Sequence, residues 1–237
     1  MAANAAFWEK FEARVAPYNL LQHAFYQAWS KGELTREDLR EYAGEYWHHV
    51  SAFPTYLSAL HSRLPDGEVR REVLRNLAEE EGTDSATGRA HSDLWMDFAE
   101  GMGATSSEVV GRVVQPEMTA LLAEFRAAMQ EPKPAAAMAA LYAYESKVPA
   151  IAETKAAGLK EHYSTEGAGA KYFTLHQTAD VHHASVWREL MNAEIAKDPA
   201  AADAALEAGE RAAKALWSAL DGVERERVSR SASQQAS

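Results

Sequence analysis

Apolar positions recur roughly every three to four residues along almost the whole chain, and no stretch alternates apolar and polar for long. That period belongs to helices, and the intervening residues are mostly good helix formers: Ala, Glu, Lys and Arg. Asn4 is a candidate cap for a first helix running to about Val15. Pro17 and Asn19 then restart the chain into a segment that stops near Gly32. Thr35-Arg-Glu-Asp38 reads as a capping-box variant opening a long helix through about Leu60. Pro54 should kink that helix, because proline removes an internal hydrogen bond. Asp66 begins a further helix ending near Glu81 and Gly82, and another spans roughly 86–100 and closes at Gly101-Met-Gly103. Thr105-Ser-Ser-Glu108 fits a capping box for a helix that ends before Pro132-Lys-Pro134. The next runs about 135–159, with Pro149 as a second expected kink. A Gly-, Ser- and Thr-rich loop over 162–169 leads into another helix, and a final Ala-rich helix lies near 199–221. Arg225–Ser237 reads as a disordered polar tail. With no internal repeat and no dividing linker, the expectation is one all-α domain over 1–222, with seven or eight helices, and a tail over 223–237.

Composition narrows the chemistry. With 237 residues, 47% of them hydrophobic, the chain can bury a sizeable core. No run approaches the roughly 18 apolar residues of a membrane span. The opening MAANAAFWEKFEARV lacks a basic region followed by an apolar stretch, so no signal peptide is expected and a cytoplasmic location is. The absence of cysteine excludes disulfides, zinc–thiolate sites, iron–sulfur clusters and a thiol nucleophile. Any metal must be held by nitrogen and oxygen. A net charge of −11 argues against a nucleic-acid partner.

The nine histidines matter most where they gather. In His176-Gln-Thr-Ala-Asp180-Val-His-His183, the residues His176, Asp180 and His183 fall within roughly 60° of one another on a helix. Such a stripe suits a divalent transition metal, although amphipathic helices also carry His and Asp on a solvated face. Glu145 sits in an Ala-rich apolar helix and is expected to point inward, where it needs a cation, a metal or a proton. Of Glu79, Glu80 and Glu81, the last two fall near the apolar stripe of Val73, Leu74 and Leu77, and Glu79 does not. His91, just before Leu94-Trp95, would by itself be a satisfied core or surface histidine. Taken together, Glu80, His91, Glu145, His176, Asp180 and His183 give three imidazoles and three carboxylates on helices. That set is typical of bundles holding two metals, and it favours iron or manganese used for oxygen chemistry over hydrolysis.

Longer ordered motifs include Trp29-Ser-Lys-Gly-Glu-Leu-Thr35, Ala52-Phe-Pro54 with Tyr56-Leu-Ser-Ala59, Asn76-Leu77 with Glu80-Glu81, Asp93-Leu-Trp95, Tyr144-Glu-Ser146 and Ala179-Asp-Val181. Through these, roughly residues 7–195 resemble the haem-oxygenase-like di-metal oxidases. Within that superfamily the likeness is to the family of the Chlamydia protein associating with death domains and bacterial 4-aminobenzoate synthases. The resemblance implies a haem-oxygenase-like helical bundle in which all six residues are metal ligands. The stretch from Glu80 to His91 is longer than the family pattern, with Thr83–Arg89 as the expected insertion, so Glu81 stays open as an alternative ligand.

The resemblance also implies an O2-activating oxidase with an iron–iron or iron–manganese pair and an external reductant, making 4-aminobenzoate for folate biosynthesis. In that family the enzyme is its own substrate. Tyr26 matches the tyrosine that is cut out, Tyr42 a second tyrosine of the radical chemistry, and Lys155 the proposed amino donor. From residues alone, Tyr26 and Tyr42 read as core aromatics and Lys155 as a surface charge. Three other readings compete. A thiaminase-like hydrolase on the same fold needs a cysteine and is discounted. A di-metal oxygenase acting on an external amine or lipid would keep the six ligands without needing Tyr26 and Lys155. A non-enzymatic interaction protein would have no use for a buried ligand set. Neither a membrane nor a nucleic-acid partner is expected, and a homodimer is left open.

Overall fold

Helix formers dominate and helices result. The structure, a computed structural model, describes residues 2–84 and 86–235, with no strand among them. The helices are α1 (Ala2–Val15), α2 (Ala24–Ser30), α3 (Arg36–Arg63), α4 (Glu68–Glu80), α5 (His91–Gly101) and α6 (Ser106–Val110). They continue as α7 (Pro116–Ala128), α8 (Pro134–Glu145), α9 (Val148–Tyr163), α10 (Lys171–Lys197) and α11 (Ala201–Gln235). The side chain of Asn4, the expected first cap, lies outside the described residues, and the helix already begins at Ala2.

Both capping boxes form. Thr35 Oγ1 accepts from the Asp38 amide at 3.1 Å while Asp38 accepts from the Thr35 amide at 2.9 Å, and Thr105 with Glu108 repeats the arrangement. Three differences from the sequence reading stand out, and the first two raise the helix count. The Thr105 box opens only the short α6, which stops at Gly111 before Pro116 starts α7. Pro149 separates two helices rather than kinking one: its ring would clash with the carbonyl four residues back, that of Glu145, and α8 ends there. Lastly, α11 continues to Gln235, so residues 223–235 are helical instead of forming a tail, and residues 236–237 lie outside the described set. Val223 is buried, Arg230 pairs with Asp38 at 3.0 Å, and Glu226 reaches Arg112 at 3.4 Å. Pro54 stands inside α3, which runs past it to Arg63.

The centre of the molecule is α8. Its sequence PAAAMAALYAYE is apolar on every side, and it packs against α7, α10 and α11. A helix apolar all round belongs in a core. Its small alanines let neighbouring backbones approach, and its single charged residue is Glu145, at its C-terminal end. A carboxylate there faces the negative pole of its own helix, so it calls for a positive partner.

Candidate metal centre

Four helices deliver the six candidate ligands. Glu80 is the last residue of α4, His91 the first of α5 and Glu145 the last of α8, while α10 carries His176, Asp180 and His183 on one face. All six are between 1% and 5% exposed. They form two groups: donor atoms of Glu80, His91 and His176 lie within 4.8 Å of one another, and so do those of Glu145, Asp180 and His183. Glu81 is exposed, one residue beyond the end of α4. Leu74, read as part of the inner stripe, is 48% exposed.

The first group depends on a tight turn. Gly82 has φ +75°, and a Cβ there would lie 2.3 Å from the Arg89 carbonyl carbon and 2.4 Å from the Ala90 nitrogen. Only glycine lets the segment between α4 and α5 fold back this closely. His91 Nδ1 thereby comes to 2.9 Å from Glu80 Oε2. The His91 and His176 rings lie 4.6 Å apart, and Tyr172 stacks on His176 at 4.0 Å. The Nδ1 of His176 faces the Tyr172 carbonyl at 2.7 Å.

In the second group, His183 Nδ1 is 3.2 Å from Asp180 Oδ1 and 3.5 Å from Glu145 Oε1. Glu145 accepts from Asn76 Nδ2 at 3.1 Å and from Trp187 Nε1. On its outer side, His183 Nε2 meets Glu79 Oε2 at 3.0 Å. The apolar stripe of α4 leaves Glu79 outside because it reflects only the face of that helix, whereas the partner of Glu79 comes from α10. Asn76 and Trp187 were also missed. Each lies four residues along its helix from a candidate ligand, Asn76 before Glu80 and Trp187 after His183, and that spacing was a usable signal.

Burial and pairing compete at Glu80, His183, His176 and Asp180. Burial pushes Glu80 up, yet His91 beside it brings the carboxyl below the usual range. Burial lowers His183, but hydrogen bonds to Asp180, Glu145 and Glu79 more than reverse this, leaving it well above an ordinary imidazole. Burial lowers His176 and raises Asp180, the latter against the pull of His176. Asp180 Oδ2 is buried with no hydrogen-bond partner. An orphan carboxylate oxygen among three imidazoles and two more carboxylates, with no thiol present, fits iron or manganese.

A second buried cluster lies beyond Tyr144 and Tyr172. Lys155 Nζ is 2.7 Å from Tyr26 Oη and 2.5 Å from Tyr42 Oη, and the two phenol oxygens are 3.0 Å apart. Lys155 is only 5% exposed, so its residue-only reading as a surface charge is corrected. Two features turn it inward. The break after Glu145 lets α9 set off in its own direction. Gly158 then lets α9 approach Trp29 of α2, since a Cβ there would lie 2.8 Å from the indole Cδ1. Burial alone drives Lys155 well below an ordinary lysine, and burial raises both Tyr26 and Tyr42. Tyr144 and Tyr172 line this pocket together with Tyr26 and Lys155, and they also line the gap bordered by Glu80, Glu145, His176 and Asp180.

A helical bundle with buried carboxylate and imidazole groups matches the comparisons with known proteins. Residues 40–217 match the family model described as an iron-containing redox enzyme, and the chain belongs to that family. It is 36% identical to a 4-aminobenzoate synthase of Chlamydia pneumoniae over 212 residues, 90% of this chain and 92% of the relative. It is 38% identical to the 4-aminobenzoate synthase of Nitrosomonas europaea over 233 residues, 94% of this chain and 92% of that one. Among solved structures, a TenA homologue from Pseudomonas syringae pv. tomato superposes with a TM-score of 0.80 at 19% identity, covering 93% of each chain. A CADD-like protein of unknown function from Nostoc punctiforme gives 0.73 at 14% identity, covering 97% of each. These two share the fold. No helix among the described residues is long and apolar enough to cross a membrane.

Proposed function

We propose that this enzyme makes 4-aminobenzoate from its own Tyr26, with Lys155 as the amino donor. The observation that carries the reading is the contact of Lys155 Nζ with Tyr26 Oη at 2.7 Å, in a chain 36–38% identical to 4-aminobenzoate synthases. The oxygen of Tyr26 marks the ring carbon that bears nitrogen in 4-aminobenzoate, and Cβ marks the carbon that becomes the carboxylate.

The residues have separable tasks. Lys155 is buried among phenols and aromatic rings, so burial favours its neutral amine, the form that carries a free lone pair. Its ammonium form would be costly there, although the ring faces of Tyr26 and Tyr42, at 4.0 and 4.7 Å, would ease part of that cost. Tyr42 touches both partners, so it can pass a proton or a hydrogen atom between them. Glu80, His91 and His176 would hold one metal, and Glu145, Asp180 and His183 the other. When bound, an iron–iron or iron–manganese pair supplies oxidising power from O2, with electrons from an external reductant. Aromatic walls keep water out. The free space left in the Lys155 pocket is that of about one water molecule, so the two phenol rings beside this amine are the protein's own, which favours an internal over an external aromatic substrate.

The test is product formation by metal-loaded protein given O2 and reductant, with ring-labelled tyrosine incorporated in the chain. Labelled 4-aminobenzoate should appear, and the protein should lose the side-chain carbons of Tyr26 together with the amino nitrogen of Lys155. Tyr26→Phe should abolish product and keep metal binding. Undiminished product from Tyr26→Phe, or product without label, would sink the self-sacrifice.

A further inference from the structure

The two groups of candidate ligands differ in what stands behind them. His176 of the first group is backed by a backbone carbonyl, deep in the core. His183 of the second is backed by Glu79, a side chain about one-third exposed. Glu79 also lines a pocket that opens to the surface, shared with Glu72, Arg75, Asn76 and His182, with His183 and Trp187 in its wall.

An imidazole offers a lone pair from one ring nitrogen only when the proton sits on the other. The inward Nδ1 of His183 faces Asp180 and Glu145, and the outward Nε2 faces Glu79. With a metal bound, when Nδ1 must be unprotonated, a carboxylate accepting from Nε2–H would hold the remaining proton outside and leave the Nδ1 lone pair to the metal shared with Asp180 and Glu145. It also fixes the ring plane and raises the basicity of Nδ1.

We propose that Glu79 is a positioning residue that sets the metal affinity of the second group through His183, from the wall of a surface pocket. This rests on the reading of the two groups as metal sites. The two groups would hold their metals through different side chains, so a loss confined to one equivalent distinguishes the role of Glu79 from a change in the whole fold.

The experiment is anaerobic titration of metal-free protein with Co(II), followed by visible absorption and calorimetry. Wild type should take up two equivalents. Glu79→Ala should leave one step unchanged and weaken the other about 10- to 100-fold, with a shifted absorption band for that equivalent. Glu79→Gln keeps an oxygen acceptor and should recover part of the loss, while circular dichroism and the melting temperature confirm that both variants fold. Uptake of both equivalents by Glu79→Ala at wild-type strength overturns the role of Glu79, as does equal weakening of both steps or a Gln variant no better than Ala. Fewer than two equivalents in wild type would instead overturn the metal-centre reading, and this proposal with it.

Discussion

At the two ligand groups, carboxylates and imidazoles are buried against one another; at Lys155, one amine is buried against phenols, which favours its neutral form. The first arrangement offsets desolvation by pairing, so Glu80 is held low and His183 high. The second leaves desolvation unopposed by any acid, so Lys155 is held low and Tyr26 and Tyr42 high. Pairing prepares a place for cations. Discharge prepares a nucleophile. The difference teaches that burial alone does not decide what a titratable group becomes: its neighbours do. His49 belongs to the discharged class. It is fully buried in a box of Tyr46, Phe53, Tyr56, Phe125 and Tyr144, both its nitrogens lack partners, and burial pushes it down to about 3.

The sharpest way to break the contrast is a cation that cannot discharge. Lys155→Arg puts a permanently charged guanidinium where no acid waits, and is expected to destabilise the fold by several kcal/mol. Lys155→Met should be near neutral or stabilising in urea unfolding, and should show no product. Equal stability of the two variants would mean that the pocket is wetter than its lining suggests.

Next in size is the pH response of His49. Its folded pKa lies below the unfolded value of 6.5, so below that pH the unfolded chain takes up a proton that the folded one refuses. Stability is therefore full above 6.5 and falls as the pH drops toward 3, by at most about 5 kcal/mol from this one group. His49→Phe should flatten that acid limb. Lys155 acts with the same sign on the alkaline side, where stability should rise with pH until the unfolded value of 10.5 is reached, and Lys155→Met should remove that rise. An unchanged acid limb in His49→Phe would place the imidazole in contact with water.

The smallest effects separate the two clusters. Gly82→Ala and Gly158→Ala should each cost about 1–3 kcal/mol through strain or overpacking. Their functional consequences should differ. The first should weaken one of two metal equivalents, since it forces Glu80 and His91 apart. The second should spare metal binding and slow product formation, since it moves Lys155. Loss of metal in Gly158→Ala would show that the two clusters are mechanically one.

Much of this was legible because it is local. The spacing of His176, Asp180 and His183 on one helix, and the boxes at Thr35 and Thr105, depend only on residues a few positions apart. What was not legible depends on distant partners. The polar run after Val223 looks like a tail until Asp38 and Arg112 are brought to it. Pro149 looks like a kink until the carbonyl of Glu145, four residues back, is seen to end α8. Glu79 looks solvated until α10 presents His183. Lys155 has no local sign of burial, and only the family resemblance singled it out. Nothing in the sequence marked His49, because its surroundings come from three helices.

One consequence follows from how tightly Tyr26 is packed. Its ring is 4% exposed, wedged beside Phe25 and Tyr42 under Lys155. On the proposed self-sacrifice, a chain that had given up that ring would carry a hole where an aromatic stood, and losing a buried aromatic costs about 3–5 kcal/mol. That is a large share of the 5–15 kcal/mol that keeps a typical domain folded. Spent molecules would then be weaker than fresh ones and cleared sooner by proteases, so the cell would need no other mark to tell them apart. On the proposed self-sacrifice each polypeptide would yield one product, and the ceiling on output would be the rate of translation.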